Sequence, residues 1–394
     1  MKNLFPIGMR LLAFLLLFCA QSSFAQVITF NLGGPATKNY YEEIPYENLN
    51  GHLFVTCEIA GKKHRFLFDT GAPVAISKEF AMELGAKVLS KVKVVDNFLR
   101  SDSTTVVELN GIKLGNLTFN GIPAINLFPD FYTCFQIDGV IGSNMLRNSI
   151  VSINSQKKTI IITDQKSKLQ LKAKNGAKMI TNQGMQSDPR IQFYINKKVH
   201  AYITFDTGDS DFIRLNDQLI NQLKPYGVVD SLTTGYGSGG ISAFGSQKST
   251  QKSLYGVDPF TIGDAKFSNL RAVSNKSDMP AIGSKLLEYG TITLDYINGK
   301  FYFDAYQSEV DLTQKRWNAN VGFVDNKLVV AEVWEKDSSI EQSAQVLAID
   351  DVEYNTLTLC EYLDQRLSLL KTETAVLTIK TSQGEIKKVT INKR

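Results

Sequence analysis

The sequence predicts a mainly β protein with two related lobes and a smaller α+β module at its carboxyl end. The tripeptide Asp-Thr-Gly occurs twice, each time at the end of an apolar run, and the surroundings of the two copies repeat in the same order. The pattern then changes after about residue 311, which sets off the terminal module. At 394 residues the chain is too long for one ordinary core, in agreement with two or three domains.

The amino-terminal segment is typical of an export signal. Basic residues precede the apolar run LLAFLLLFCA (11–20), and small residues follow it. This order predicts a signal peptide over residues 1–25, because the run is shorter than the ~20 apolar residues that a membrane-spanning helix needs. A lipoprotein anchored through Cys19 is the alternative, although Phe18 stands where a small residue should precede a lipidated cysteine. We therefore expect export to the periplasm or the extracellular space.

Three anchors recur in the two halves. The first is a predicted hairpin that leads into the tripeptide, IAGKKHRFLFDTG and INKKVHAYITFDTG; the second is a strand–turn–strand; the third is DGVIGSNML and MPAIGSKLL. Near-constant offsets indicate an internal duplication. We predict one lobe over residues 26–165 and a second over 166–311. The offsets are 137 residues (Asp69 to Asp206), 148 (Gly115 to Gly263) and 141 (Gly142 to Gly283).

Two aspartates on matching loops can perform acid–base chemistry together. Carboxylates about 3 Å apart cannot both ionise, so they share one proton, and one acts as acid while the other acts as base. Asp69 and Asp206 would supply one carboxylate from each lobe. The threonine hydroxyl can hydrogen-bond to the opposite loop, and glycine lets the chain turn tightly behind the carboxylate. These supporting residues are Thr70, Gly71, Thr207 and Gly208.

On these motifs the chain resembles the pepsin–retropepsin family of aspartic proteases over roughly residues 50–305. The resemblance implies a bilobal pair of acid-protease barrels in a single chain, a catalytic dyad of Asp69 and Asp206, and a polypeptide substrate. It requires no second copy, so we expect a monomer. A simple strand-ending turn is the alternative for either tripeptide alone. The motifs are Asp69-Thr70-Gly71-Ala72, Asp206-Thr207-Gly208, Val140-Ile141-Gly142 and Ala281-Ile282-Gly283.

Asp209 departs from the family pattern, which usually has Ser, Thr or Ala after the second tripeptide. A third carboxylate beside the dyad could raise the pKa of the shared proton by repulsion between like charges, which would extend activity toward neutral pH. Alternatively, Asp209 turns outward and caps local backbone amides, or it marks a lobe that no longer catalyses.

A glycine run, TTGYGSGGISAFG (233–245), contains the spacing GxGxxG. No helical pattern follows it, which excludes a nucleotide-binding loop. In the family that the chain resembles, this stretch is a β-hairpin flap over the substrate, with Tyr236 as the closing side chain and Gly237 as part of its hinge. Phe98 is the equivalent aromatic residue of the first lobe. A mobile surface loop is the alternative for both stretches.

Residues 312–394 resemble a PDZ domain, in which a Gly-Phe loop binds the carboxylate of a peptide's carboxyl terminus. Gly322 and Phe323 would be that loop. Leucines at helical spacing after residue 358 predict one helix between short strands. The alternative is an accessory domain that docks on the lobes and binds no ligand.

Other functions lack their residues in this sequence. A formal charge of +4 gives no reason to expect nucleic acid as a partner, and HExxH and GxSxG motifs do not occur. We expect no metal or cofactor. Of Cys57, Cys134 and Cys360, one pair could form a disulfide, but the sequence does not select it.

The function predicted from the sequence is that of an exported aspartic endopeptidase with a PDZ-like tail. One alternative is a catalytically silent peptide-binding or scaffold protein with the same fold, and another is an enzyme that mainly processes its own chain. Residues 26–50 could be a pro-segment or the first strand of the fold.

Overall fold

The computed structural model of the chain describes residues 29–181, 186–196, 199–238, 240–276, 279–334, 340–366 and 368–394. The predicted signal peptide and Cys19 lie outside these residues. The described part of the protein is mainly β, as predicted. Its helices are all too short or too polar to cross a membrane.

Within the described residues, the first half contains fourteen strands and three short helices. In chain order they are β1 (Gly34–Pro35), β2 (Tyr41–Pro45), β3 (Glu47–Leu49), β4 (His52–Ile59), β5 (Lys62–Asp69), β6 (Ala75–Ile76), α1 (Lys78–Glu83), β7 (Lys87–Val95), β8 (Ser101–Leu109), β9 (Ile112–Leu114), β10 (Leu117–Asn120), β11 (Ile122–Ile125), α2 (Phe131–Cys134), β12 (Gly139–Gly142), α3 (Ser143–Leu146), β13 (Ile150–Asn154) and β14 (Thr159–Thr163).

The second half begins with single 3-10 turns at Lys166–Lys168 and Ala173–Asn175, and further 3-10 segments lie at Lys224–Tyr226 and Ser284–Glu288. Its elements are β15 (Gly176–Thr181), β16 (Pro189–Ile195), β17 (Val199–Asp206), β18 (Ile213–Asn216), α4 (Asp217–Leu223), β19 (Val229–Gly237), β20 (Ile241–Ser242), β21 (Gly245–Ser246), β22 (Thr250–Val257), β23 (Phe260–Ile262), β24 (Ala265–Ser268), β25 (Leu270–Asn275), β26 (Ala281–Gly283), β27 (Gly290–Asp295), β28 (Lys300–Ala305) and β29 (Glu309–Asp311).

The two halves repeat one order of elements, as the three anchors predict. In each half a hairpin leads into the Asp-Thr-Gly loop, a short strand and a helix follow, and a long hairpin precedes the late strand. That late strand runs parallel to the strand that ends in the aspartate: β12 places Gly142 opposite Asp69, and β26 places Gly283 opposite Asp206. The apolar-apolar-Gly motifs therefore lie directly beside the two loops.

Matching caps begin the helices that follow the two loops. The Ser77 side chain accepts a hydrogen bond from the Phe80 amide at the start of α1, and the Asn216 side chain accepts one from the Leu219 amide at the start of α4. Ser and Asn are favoured at this position because their side chains bind an amide that has no partner within the helix. Each loop thus continues into a helix with a fixed starting point.

A six-stranded antiparallel sheet joins the lobes, with three strands from each half. Its order is β2–β14–β13–β27–β28–β15, and β13 pairs with β27 at the centre. Residues 41–45 are an outer strand of this sheet, so this part of segment 26–50 belongs to the fold. The central strands are apolar on both faces, with Ile153 and Leu294 fully buried, because layers of the protein cover both sides of the sheet.

The carboxyl-terminal module, defined as residues 312–394, has its own core of buried side chains. Asp325 and Asn326 both have positive φ (48° and 59°) in its first tight hairpin turn, a conformation that Asp and Asn tolerate better than most residues. A capping box of Thr358 and Glu361 begins its helix. The elements are β30 (Ala319–Val324), β31 (Lys327–Trp334), β32 (Gln345–Ile349), β33 (Val352–Glu353), α5 (Leu359–Gln365), β34 (Thr374–Lys380) and β35 (Ile386–Asn392).

The structure corrects the assignment of Gly322 and Phe323 to a carboxylate-binding loop. Both residues lie inside β30 and pair with residues of β31. The Phe323 ring stacks on that of Tyr362 of α5, with 5.7 Å between the ring centroids. Their backbone groups follow a strand instead of converging in a turn, so they cannot surround a carboxylate as a loop would.

The module is attached to both lobes. β31 pairs with the end of β19, which belongs to the second lobe. A disulfide between Cys134 and Cys360 joins α2 of the first lobe to α5 of the module, and the Asn50 amide donates to the Leu363 carbonyl at 3.1 Å. This settles the pairing that the sequence left open; Cys57 is buried and has no disulfide partner among the described residues.

Candidate active site

The two Asp-Thr-Gly loops meet at the junction of the lobes through their threonines. The Thr70 amide donates to the Thr207 hydroxyl at 3.0 Å, and the Thr207 amide donates to the Thr70 hydroxyl at 3.1 Å. Each hydroxyl in turn donates at 2.7 Å to a carbonyl of the opposite strand, that of Phe205 or Phe68. Both threonines are fully buried. The reciprocal pattern fixes the loops against each other about a pseudo-twofold axis.

The glycines of the two loops allow the aspartates to come together. Gly71 and Gly208 each donate their amide to the aspartate of their own loop, at 2.8 Å and 2.9 Å. A Cβ atom on Gly71 would lie 2.3–2.6 Å from the Asp206 carboxyl group, and one on Gly208 would lie 2.3–2.7 Å from that of Asp69. The requirement for glycine is therefore close approach across the lobes, and not only the tight turn expected from the sequence.

Asp69 and Asp206 face each other as a buried, hydrogen-bonded pair, 8% and 6% exposed. Burial raises the pKa of Asp69 well above its ordinary value, and the charge of Asp206 raises it further. Burial also raises the pKa of Asp206. Because two adjacent anions in such a site are unfavourable, the pair retains one proton between its two carboxyl groups over a wide pH range.

Asp209 accepts a hydrogen bond from a local backbone amide, as one alternative predicts, but its side chain is buried and has a basic partner instead of turning outward. Its carboxylate accepts a hydrogen bond from the Asp211 amide at 2.9 Å and forms an ion pair with Arg214 at 2.8 Å. After burial, the charge of Asp209 is the largest contribution that raises the pKa of Asp206, and the charge of Arg214 opposes it. The charges of Asp209 and Arg214 thus act in opposite directions on the pKa of Asp206.

Two serines that were not predicted from the sequence form hydrogen bonds with the backbone of the two Asp-Thr-Gly loops. The Ser143 amide donates to the Ala72 carbonyl at 3.0 Å, and the Ser284 amide donates to the Asp209 carbonyl at 2.7 Å. The Ser143 hydroxyl also donates to the Thr70 carbonyl. The sequence contains a signal for them, because Ile-Gly-Ser occurs in both late anchors.

The dyad lies in a cleft of about 820 Å³ with walls from both lobes and from the module. Phe98 lines it, as expected for the first-lobe hairpin, and so do Ile241 and Phe244 of the second. β30 and α5 supply the module's wall. A volume of this order is typical of a ligand-binding cleft.

The two hairpins meet across the cleft. Arg100 donates to the carbonyls of Ser246 and Gly245, at 3.0 Å and 2.8 Å. The Asp96 carboxylate forms an ion pair with Arg100 and accepts the Phe98 amide, which shapes the tip of the first hairpin. A substrate must therefore pass under this bridge or open it.

The structure corrects the assignment of Tyr236 and Gly237 to a substrate flap. Tyr236 lies on β19 opposite Val333 of the module, is 51% exposed and does not line the cleft. A Cβ on Gly237 would lie 2.0 Å from the Ala331 carbonyl oxygen, so this glycine is needed for packing against the module. The sequence of the second lobe alone could not indicate that β31 occupies this edge.

Tyr132 is a cleft residue that the sequence reasoning missed. It lies on α2, lines the same cleft as the dyad and packs edge-on against Phe128 and Phe131. Burial raises the pKa of its phenol, and the charges of Asp69 and Asp206 raise it further. The phenol therefore remains a hydrogen-bond donor at any pH at which the dyad could work.

A metal site is not apparent in the described ranges, since no group of three or more His, Cys, Asp or Glu side chains there could hold an ion.

A match to a protein family agrees with this geometry. Residues 55–145 match the aspartyl protease family (Asp_protease_2), a range that includes the first Asp-Thr-Gly loop and its late glycine motif. No curated protein sequence matches the chain. The solved structures similar to it include basic 7S globulin from soybean, with 11% identity and a TM-score of 0.38 over 68% of this chain and 95% of that one. The family match and the paired loops together support an aspartyl protease-like fold.

Proposed function

We propose that the protein is an aspartic endopeptidase that hydrolyses peptide bonds with a water molecule activated between Asp69 and Asp206. The observation that carries the proposal is the dyad: two buried, hydrogen-bonded carboxyl groups, one from each lobe, that line a cleft of about 820 Å³. The threonine and glycine contacts that hold the dyad support the same conclusion.

The chemistry follows from the single shared proton. The ionised carboxylate takes a proton from water as the water oxygen attacks the scissile carbonyl carbon, and the protonated carboxyl group donates its proton as the carbon–nitrogen bond breaks. The amine leaves with that proton, and the two aspartates have exchanged roles. Because one carboxyl group comes from each half of a single chain, the proposed mechanism requires no second copy.

We also propose that the chain is exported, as its amino-terminal segment predicts. The Cys134–Cys360 disulfide supports this, because disulfides persist mainly in oxidising compartments. A peptide-binding role for the module, implied by its PDZ resemblance, remains part of the proposal. It is supported by the position of β30 and α5, which line the cleft that contains the dyad.

The test is hydrolysis of a denatured protein from about pH 3 to about pH 8, with wild type, Asp69→Asn and Asp206→Asn. We expect each substitution to lower kcat/KM by at least about 100-fold, because the proton cannot be shared with an amide. Asp188→Asn is the matched control: Asp188 also lines the cleft, but it is paired with Arg190, and we expect it to retain activity.

A pepstatin-type inhibitor should block the wild type. Undiminished turnover in Asp69→Asn would contradict the proposal. A wild type that binds peptide and cuts nothing would favour the scaffold function instead.

A further inference from the structure

Among the side chains that line the cleft, more cationic than acidic groups remain without an ion-pair partner. Apart from the dyad, four acidic side chains have a basic partner: Asp96 with Arg100, Asp188 with Arg190, Asp209 with Arg214, and Glu332 with Lys252. Five cationic side chains line the cleft without a carboxylate within 4 Å in the described part of the chain: Lys93, Arg271, Lys285, Arg316 and Arg366. Asp211 is the acidic residue that remains to balance them.

Two of these cations, Arg316 and Arg366, belong to the module. Arg366 follows the last turn of α5, and its guanidinium reaches the Ser210 hydroxyl at 3.3 Å and the His52 ring at 3.3 Å. Ser210 is four residues after the catalytic-loop Asp206. The module thus places a positive charge beside the second Asp-Thr-Gly loop.

Arg366 retains an unused donor. Its Nε atom is buried and has no hydrogen-bond partner in the described residues. A buried donor without a partner costs free energy, which an acceptor on a bound ligand would recover. The His52 ring beside it is neutral above about pH 4, because burial and the charge of Arg366 lower the pKa of His52 to about 4, so it does not balance the charge of the guanidinium.

Arg316 also lines the cleft from the module. Its backbone is fixed by two hydrogen bonds with Arg394, at 2.9 Å and 2.8 Å, and its guanidinium lies over the Trp334 ring, 5.4 Å from the centroid. Burial raises the pKa of Asp211 and the charge of Asp209 raises it further, while the charges of Arg214, Arg366 and Arg316 oppose this. The charges of both Glu332 and Asp211 act on Arg316, but neither guanidinium has a carboxylate within 4 Å in the described part of the chain.

We propose that Arg316 and Arg366 form a carboxylate-binding subsite, the junction subsite, where the module meets the second lobe, and that it selects polypeptide substrates with a carboxylate near the scissile bond. The proposal rests on the peptidase function above and names its substrate class. Guanidinium groups donate two parallel hydrogen bonds to a carboxylate, and such charge-assisted bonds are stronger than neutral ones. An acidic side chain and a free carboxyl terminus both supply this chemistry.

The test first locates a cleavage site in a denatured protein and then uses peptides that span it, with Glu or Gln at each flanking position in turn and with a free or an amidated carboxyl terminus. In the wild type we expect a preference of about tenfold in kcat/KM for the charged member of one pair. The position of that pair identifies the source of the carboxylate. The preference should fall toward unity in Arg366→Gln and in Arg316→Gln.

Lys315→Gln is the matched control, because it removes the same charge from an exposed side chain that pairs with Glu373. We expect it to leave the preference unchanged. A purely structural role of Arg366 would lower kcat/KM equally for both members of each pair. Arg366→Glu should reverse the preference in favour of a peptide with Lys at the selected position.

Binding to Asp69→Asn of a fixed peptide set, with Glu or Gln at each position in turn and with a free or an amidated carboxyl terminus, needs no located cleavage site and separates this inference from the peptidase proposal. If Asp69→Asn prefers the charged peptide while the wild type cuts nothing, the subsite stands and the peptidase proposal fails. If the wild type cuts without any preference for a carboxylate, or if the preference persists in both Arg variants, the subsite is overturned. If Asp69→Asn binds no peptide and the wild type cleaves none, both proposals are overturned.

Discussion

The cross-lobe threonines allow a quantitative test of what holds the candidate site together. The substitution Thr70→Val keeps the size and branching of the side chain and removes the hydroxyl. It leaves the Thr207 amide without its acceptor and the Phe205 carbonyl without the hydroxyl donor, both in a fully buried location. Each unmade buried hydrogen bond costs about 1–3 kcal/mol, so we expect a loss of about 2–6 kcal/mol in the free energy of unfolding.

Thr70→Ser is the matched control, since it keeps the hydroxyl and loses one methyl group, at a cost of about 1 kcal/mol. Urea unfolding should be followed by far-UV circular dichroism, which reports the β-rich lobes. Fluorescence reports the module separately, because both tryptophans, Trp317 and Trp334, lie there. We expect the Val variant to move the dichroism transition to lower urea than the Ser variant does.

The same substitution should displace the dyad and lower kcat by about 100-fold, the effect expected of a misplacement near 1 Å. The double variant with Thr207→Val should lose less than the sum of the two single variants, because the hydroxyls belong to one network. The reasoning would be refuted if Thr70→Val unfolded at the same urea concentration as Thr70→Ser and had the kcat of the wild type.

Four further outcomes can be measured. Asp69→Asn should raise the thermal midpoint at neutral pH but not at about pH 3. The pKa of Asp69 is raised in the folded state, so the folded wild type loses stability as pH rises through that pKa, and Asn removes this loss. Each unit by which the pKa is raised corresponds to about 1.4 kcal/mol. Asp209→Ser should shift the pH–activity profile to lower pH, and Arg214→Gln to higher pH; superimposable profiles would exclude electrostatic control. Tyr132→Phe should lower kcat about tenfold with little change in KM, and an unchanged kcat would rule out a role for the phenol. Cys360→Ser should lower the unfolding free energy by about 2–5 kcal/mol relative to the oxidised wild type, and the difference should vanish in reductant.

The sequence by itself determined the duplicated architecture and the two aspartates. Asp69 and Asp206 were predictable because the strand, the turn and the late glycine motif are local patterns, and their repetition fixes which residues correspond. A duplicated β lobe has few ways to bury both copies of its apolar face, so the corresponding loops meet about a pseudo-twofold axis.

Only the tertiary structure decided what surrounds the dyad. Tyr236 was assigned to the cleft from the second lobe alone, but β31 pairs with that strand and leaves the side chain outside. Tyr132 and Arg366 reach the cleft from helices far apart in sequence, which the Cys134–Cys360 disulfide holds together. No local pattern encodes how a third module docks, because docking depends on surfaces that exist only after each part has folded.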